Sequence, residues 1–412
     1  MLLTSRGRRI GGRVVLGVVS TLVLGATGYA WSQLHRLDTG IVTADVIPPA
    51  AQIPEAPTGQ PLQVAQNILL VGLDSRTDAN GNPLPQNVLD SLHAGSSEDG
   101  GSTTDTMIVV HVPAGGAAAT AISIPRDSYV DVPGYGKHKI NSAYSRARAS
   151  ARSHLSAQGL SGPQLEVAAD AEGAKSAIAT VEELTGLTIN HYAAVNLAGF
   201  AALSQAVGGV QVCLDNPVHD SYSGANFPAG PQTLSGAQAL AFVRQRHGLP
   251  NGDLDRIARQ QAFLAGMAKN VLGAGTLTSP DKLSALVDAL QGSVVLDKGW
   301  DVLSFAQQLH GISSGAIAFV TIPVQSLSLA TPADGDAVKV SPQQVKTFVQ
   351  NQLGSSSVSA SGGSGETSSP PGTNAGRVKP IAVTKSVNPP SDTPAGGTPQ
   401  QPVATNATGC VN

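Results

Sequence analysis

The chain has 412 residues, 13% of them charged and 4% aromatic, with a formal net charge of −3. So neutral a balance argues against a nucleic-acid partner, and the length alone would allow two or three domains. Both ends differ in composition from the middle.

Arg6, Arg8, Arg9 and Arg13 precede VVLGVVSTLVLGATGYAW, a run of about 17 apolar or small residues that can cross a bilayer once. This predicts a cytoplasmic basic segment over 1–13 and a transmembrane signal anchor over 14–31, with Trp31 at the far interface. A signal peptide cleaved near Gly28-Tyr29-Ala30 is the alternative. Either way the rest of the chain is expected outside the cytoplasm, and with the anchor retained it stays at the cell membrane as a single-pass protein. Residues 32–61 read as a stalk and 62–353 as one large folded domain. The Pro/Gly/Ser/Thr-rich tail over 354–412 cannot bury enough apolar surface to order itself. In an exported chain Cys213 and Cys410 are expected to pair and pin that tail to the domain, two unrelated thiols being the alternative.

Within the domain, NILLVGL (67–73), TMIVVHV (106–112) and ATAISI (119–124) are short apolar runs that read as buried strands. Ala174, Ala177, Ile178, Val181 and Leu184 fall at helical spacing, and Gly186 stops them. INHYAAV follows as strand, NLAGFAALSQAVGG as a helix capped by Asn196, and VQVCL as strand. A long helix is predicted from Asp253 to about Val271, shorter ones near 280–290 and 300–310, then the strand AIAFVTIPV. Ser341, Pro342 and Gln344 open the last helix as a capping box. The alternation predicts an α/β/α sandwich, a central mixed sheet with helices on both faces.

Familiar catalytic signatures fail. There is no GxxxxGK[ST] and no HExxH. GISSG at 311–315 follows a predicted helix and precedes a strand, the reverse of a nucleophile elbow. DANGNP, from Asp78, has Pro83 where a calcium loop needs glycine. His111, His191, His219 and His247 stand at no metal-ligand spacing.

One stretch breaks the low charge density: ALAFVRQRHGLPNGDLDRIARQQ, residues 239–261. If AFVRQRH is extended, Arg244 and Arg246 point the same way. Arg256, Arg259 and Gln260 follow at helical spacing in the first turns of the next helix, whose amides favour phosphate. Arginine forks bind phosphate oxygens bidentately, so the set can enclose a diphosphate. A surface salt-bridge cluster with Asp253 and Asp255 is the alternative. Asp74 ends one buried strand, Asp105 opens the next, and Arg126 and Asp127 end a third. Carboxylates at one edge of adjacent strands can share magnesium, and ligands of open α/β sheets gather at strand ends.

LLVGLDSR, TDTMIVV, ISIPRDSYV, KINSAYS, GVQVCLDNPV, LSGAQALAFVRQRH and GDLDRIARQQ occur in that order between about residues 65 and 275. Together they resemble the LytR-CpsA-Psr family of bacterial cell-wall enzymes. The resemblance implies an extracytoplasmic phosphotransferase that moves a glycopolymer from a polyprenyl diphosphate to peptidoglycan through a phosphodiester, releasing polyprenyl phosphate. It implies magnesium on Asp74 and Asp105. It puts the diphosphate on Arg126, Arg244, Arg246 and Arg256, with Gln260 assisting, and sets Asp253 near the reacting group, so that Arg126, Arg256 and Asp253 form the expected catalytic set. Asp127 and Asn141 match motif positions of structural character, and the lipid would run in an apolar tunnel between sheet and helices. Two departures stand out: a long polar insert between Asp74 and Asp105, and Asp255 where glycine is common. The Ala- and Gly-rich composition points to a high-GC actinobacterium. A polyprenyl-diphosphate hydrolase and a non-enzymatic wall-binding protein remain the alternatives.

Overall fold

The computed structural model describes residues 40–53, 62–96, 102–116, 118–249, 252–272, 280–302, 305, 317–358 and 410–411. Its strands are β1 (Val42–Ala44), β2 (Gln66–Asp74), β3 (Thr103–Val112), β4 (Ala119–Ser123), β5 (Ser128–Val132), β6 (Gly136–Lys139), β7 (His191–Asn196) and β8 (Val210–Leu214), then β9 (Val218–Asp220), β10 (Ala225–Phe227), β11 (Gly230–Leu234), β12 (Val294–Asp297), β13 (Ile317–Thr321), β14 (Ser326–Thr331) and β15 (Gly335–Lys339). Its helices are α1 (Gln86–Ser91), α2 (Ser142–Ala157), α3 (Gly162–Thr185), α4 (Leu197–Ala206), α5 (Gly236–Arg244), α6 (Asp253–Leu272), α7 (Pro280–Leu290) and α8 (Pro342–Val358).

The apolar runs of β2, β3 and β4 are buried on both faces, as strands covered by helices on each side must be. They sit inside a seven-stranded mixed sheet ordered β1-β12-β7-β2-β3-β4-β13. One face, carrying Leu69, Val71, Met107, Val109 and Ile122, packs against Tyr144 of α2, Ile178 and Val181 of α3, and Val345 and Val349 of α8. Ile108, Ala121 and Phe319 on the other face meet Leu264 and Ala265 of α6. This is the expected α/β/α sandwich. β2 runs parallel to β7 and antiparallel to β3, which is antiparallel to β4. The C-terminal ends of β2, β7 and β4 and the start of β3 therefore share one edge.

Asn196 caps α4 as expected, its Oδ1 accepting from the Gly199 N–H at 2.7 Å, and its Nδ2 donates to the Thr77 carbonyl at 2.9 Å, tying the start of the polar insert to the sheet edge. Gly186 ends α3 at φ 74°. That helix begins at Gly162, well before the predicted Ala174, because Ala-rich sequence propagates a helix without an apolar stripe. The Ser341 Oγ accepts from Gln344 N–H at 3.5 Å, whereas the Gln344 side-chain Oε1 accepts from Gln325 Nε2 at 3.2 Å instead of reaching back to the cap. α8 continues to Val358, past the expected domain end at 353.

Two expectations fail. Residues 42–51, expected within a stalk over 32–61, belong to the folded domain: β1 pairs with β12 at the sheet edge, and Val46, Ile47 and Ala51 are buried in the core because their apolar side chains cover the sheet. AFVRQRH is not extended: Ala241 to Arg244 finish α5, and the chain straightens only at Gln245 (φ −53°, ψ 136°). Ala239, Leu240, Ala241, Phe242 and Val243 are all buried, and a run rich in Ala and Leu prefers a helix wherever its whole circumference is covered. The anchor over 14–31 and nearly all of the tail lie outside the described residues, as does most of the helix predicted near 300–310. Among the described residues no helix is long and apolar enough to cross a membrane.

Cys213 on β8 is disulfide-bonded to Cys410, 197 residues away. Val411 then pairs with β8, its N–H donating to the Cys213 carbonyl at 2.9 Å and its own carbonyl accepting from Asp215 N–H at 2.9 Å. Val411 also packs on the cluster that holds Leu214 and Phe242. Cys410→Ser is expected to lower unfolding free energy by about 2–4 kcal/mol, read from urea midpoints. A midpoint equal to that of the oxidised wild type would show that the bond secures only the tail.

Candidate active site

The charged groups collect at the shared sheet edge. Gly72 pairs with Thr106, Leu73 with Thr104 and Asp74 with Thr103, so Asp105 is the extra residue of a β-bulge on β3. A bulge releases its residue from the ladder and re-aims the side chain. Asp105 Oδ1 accepts from Arg126 Nη1 at 2.7 Å and Oδ2 from Arg246 Nη2 at 3.2 Å, so one carboxylate holds two guanidinium groups. Arg126, just beyond β4, is fixed through its backbone, because its carbonyl accepts from Asn141 N–H at 3.1 Å while the Asn141 carbonyl accepts from Thr104 N–H at 3.4 Å. Asn141 thus aligns the Arg126 and Asp105 segments.

The first turn of α6 supplies the third side. Arg256 bonds Asp253 three residues earlier, and Arg126 Nε lies 4.0 Å from Asp253 and 3.5 Å from Asp127. Lys139 approaches Asp127 at 3.4 Å from behind. Four cations, Arg126, Lys139, Arg246 and Arg256, therefore face three carboxylates. Burial raises the Asp105 pKa, but Arg126, Arg246 and Arg256 outweigh it and hold the carboxyl below its ordinary value. For Asp253 burial wins over Arg256 and Arg126, and its pKa is raised. Burial also pushes the Arg256 guanidinium down to about 10, with Asp253 opposing and Arg126 and Arg246 adding to the fall. Arg126 goes up, because Asp105, Asp127 and Asp253 overcome its burial.

Arg126 Nε, Arg256 Nε and Asp253 Oδ2 are buried with no hydrogen-bond partner. Buried polar atoms are nearly always paired; Arg126 Nε faces the Asp127 and Asp253 carboxylates at ion-pair range, and Arg256 Nε is the buried donor left to an oxyanion. Exposure grades across the cradle, from 3% for the Arg256 side chain through 14% for Arg126 to 45% for Arg246. The cavity of about 40 Å³ that opens beside Tyr144, Asp170 and Tyr192 is lined by none of these arginines and lies on the α3 side of the sheet.

Other expected residues stand apart from this web. Arg244 donates to the Leu92 and His93 carbonyls at 3.2 Å each, clasping the polar insert. Gln260 Nε2 donates to the Val243 carbonyl at 3.4 Å, bracing the end of α5. Arg259 bonds Gln245 and lies over the Phe242 ring at 5.1 Å, with Asp255 as the carboxylate that offsets its burial. Asp255 therefore acts one turn on, at Arg259. Asp74 pairs with Arg76 at 2.8 Å, and Arg76 Nε reaches the Ala94 carbonyl at 3.0 Å. The oxygen in that ion pair, Asp74 Oδ1, is buried and faces Arg76 Nη1 without hydrogen-bond geometry. Among the described residues no three His, Cys, Asp or Glu side chains gather as a metal site. Asp74 and Asp105, all-oxygen donors at one strand edge, still fit magnesium, which commonly takes one or two carboxylates and completes its shell with water and substrate phosphate. The sequence reading missed Lys139, although it lies inside KINSAYS, and Gln245, for which no local signal exists.

The sequence profile of the LytR_cpsA_psr family matches residues 52–353. The chain belongs to the LytR-CpsA-Psr family. It is 44% identical over 357 residues to the cell wall biosynthesis protein LcpA of Corynebacterium glutamicum, covering 86% of this chain and 68% of that one. Such a relative agrees with an actinobacterial origin. A polyisoprenyl-teichoic acid–peptidoglycan teichoic acid transferase, TagU of Enterococcus faecalis, is 32% identical over 57% of this chain and 62% of its own. Crystalline TagV of B. subtilis shares the family fold, with a TM-score of 0.50 at 22% identity over 71% of this chain and 98% of that one.

Two measurements check the web. Inorganic pyrophosphate is expected to raise the melting temperature, and Arg126→Ala or Arg256→Ala to weaken its binding roughly tenfold or more, each losing a charge-assisted hydrogen bond. Arg244→Ala should leave that affinity unchanged. In acid, Asp105 binds a proton more readily unfolded than folded, so stability present above a pH of about 3.9 is lost as pH falls towards its depressed folded pKa. Asp105→Asn should flatten that limb of the stability–pH curve, and an unchanged slope would remove Asp105 from the web.

Proposed function

We propose that the protein joins a glycopolymer carried on a polyprenyl diphosphate to peptidoglycan through a phosphodiester and releases polyprenyl phosphate. The observation that carries this reading is the convergence of Arg126, Arg246 and Arg256 on Asp105 and Asp253 at one sheet edge, with the Arg256 Nε buried and without a hydrogen-bond partner. Phosphoryl transfer asks the protein for charge neutralisation and in-line positioning more than for covalent help, which agrees with a site built of arginines and carboxylates and no nucleophile. Arg126, Arg246 and Arg256 bind the diphosphate oxygens. An acceptor sugar hydroxyl attacks the glycan-bearing phosphorus, a new P–O bond forms, and the bridging P–O bond breaks with its electrons leaving on polyprenyl phosphate. Asp253, whose Oδ2 accepts no hydrogen bond, takes the hydroxyl proton. Asp74 and Asp105 are the residues that would hold magnesium, which when bound would supply further neutralisation of the phosphates.

Apolar surface is at hand for the lipid. Leu70 and Val110 on the sheet and Leu264 and Ala265 on α6 are only partly buried although they lie between layers. That α6 begins with Asp253 and Arg256, so a diphosphate in the cradle has an apolar path beneath the same helix. The relatives named as teichoic acid transferases support the reaction class. An uncleaved anchor over 14–31 would hold the catalyst beside its membrane-borne donor at high effective concentration, at the outer face of the cell membrane.

The full chain in detergent, with magnesium, radiolabelled polyprenyl-diphosphate glycan and peptidoglycan fragments, is expected to move label onto peptidoglycan. Asp105→Ala and Arg256→Ala should each slow this by about a hundredfold or more. Polyprenyl phosphate released without labelled peptidoglycan would replace the ligase with a hydrolase. Donor binding without any turnover would leave a wall-binding protein.

A further inference from the structure

The chain is poor in aromatic residues, with 7 Phe, 6 Tyr and 2 Trp, yet Tyr222 stands 76% exposed. A single exposed apolar residue is ordinary; one held rigidly is less so. Tyr222 ends a turn organised by Asp220, a carboxylate only 4% exposed. Asp220 Oδ1 accepts from Tyr222 N–H at 3.0 Å and Oδ2 from the Ser223 hydroxyl at 2.8 Å. The Arg246 backbone N–H faces the same carboxylate, and His247 Nδ1 lies 3.5 Å from it. The His247 ring stacks on Tyr222 with centroids 4.3 Å apart and planes inclined by 31°. One buried carboxylate therefore fixes both the aromatic pair and the backbone of a diphosphate-binding arginine.

The direction of the cradle gives the pair its use. Arg256 is its innermost member and Arg246 its outermost. With the lipid laid on the partly buried Leu70, Val110, Leu264 and Ala265 under α6, as the donor reading has it, the other substituent of a bound diphosphate leaves on the Arg246 side, where His247 is the next residue. Tyr222 presents there an open aromatic face with a hydroxyl at its rim, suited to the C–H face and hydroxyls of a pyranose. No charge is needed for such a ligand.

We propose that Tyr222, backed by His247 and set by Asp220, is a stacking platform for a sugar of the donor glycan next to the diphosphate. This rests on the donor reading above, and its test is made independent of turnover. The full chain is titrated calorimetrically with two probes, unsubstituted farnesyl diphosphate and farnesyl diphosphate bearing an N-acetylglucosamine-headed trisaccharide. Wild type is expected to bind the glycosylated probe more tightly. Tyr222→Ala should raise Kd for that probe roughly threefold to tenfold and leave the sugar-free probe unchanged, while Tyr222→Phe keeps the ring and most of the affinity. In transfer assays the same variant should raise donor KM with little change in kcat. Equal weakening on both probes would reduce Tyr222 to a support of Arg246, and no change on either would remove the platform. An effect confined to acceptor KM would move the sugar to the acceptor side and overturn the donor assignment. If wild type binds both probes but transfers nothing, the ligase reading fails and the platform is still judged by the two dissociation constants.

Discussion

Asp105 gives one oxygen to Arg126 and the other to Arg246, and the rest of the site depends on that division. Guanidinium groups repel one another at close range, and burial at low dielectric sharpens the repulsion. A cradle for an oxyanion needs them close before the oxyanion arrives. Three carboxylates make this possible without cancelling the excess of positive charge. The pKa of Asp105 is depressed because the surrounding guanidinium groups outweigh its burial, and that of Arg256 is lowered to about 10 first by burial and then by Arg126 and Arg246. Preorganised charge of this kind needs no reorganisation when charge develops on a transferring phosphoryl group.

Much of the surrounding chain keeps this web in register. The β-bulge aims Asp105, Asn141 joins the backbones that carry Arg126 and Thr104, and α6 offers Asp253 and Arg256 from one turn. Gln245 and Phe242 hold Arg259 against α5, so the two ends that carry Arg246 and Arg256 are braced together. The polar insert is treated likewise: Arg76 and Arg244 grip carbonyls of residues 92 to 94. Cys213–Cys410 does for the C-terminus what these arginines do for the insert, adding Val411 beside β8.

Most of the sheet was legible because buried strands in a helix-covered layer are continuous apolar runs, and β2, β3, β4, β7 and β13 all have one. Helices with a clear start were legible too, α4 from Asn196 and α6 from Asp253. The extended reading of AFVRQRH failed because alternation was inferred from two arginines, while the burial of five consecutive residues on α5 depends on neighbours from distant segments. β5, β6, β14 and β15 carry no apolar run of useful length; their pairing in a second, four-stranded sheet supplies what their sequence lacks.

The sequence by itself determined the α/β class, the family and the identity of the acidic and basic residues, since ordered motifs and apolar period are written in neighbouring positions. Only the tertiary structure decided which charges meet. Arg244 and Arg246 are two residues apart, yet a helix end falls between them and sends one to the insert and the other to Asp105. Arg256 and Arg259 share a helix, but three residues set the second about 60° round the axis and about 4.5 Å further along it, which gives the first to the cradle and the second to Phe242. Distances between side chains from different elements depend on how helices and strands pack, and no local pattern encodes them.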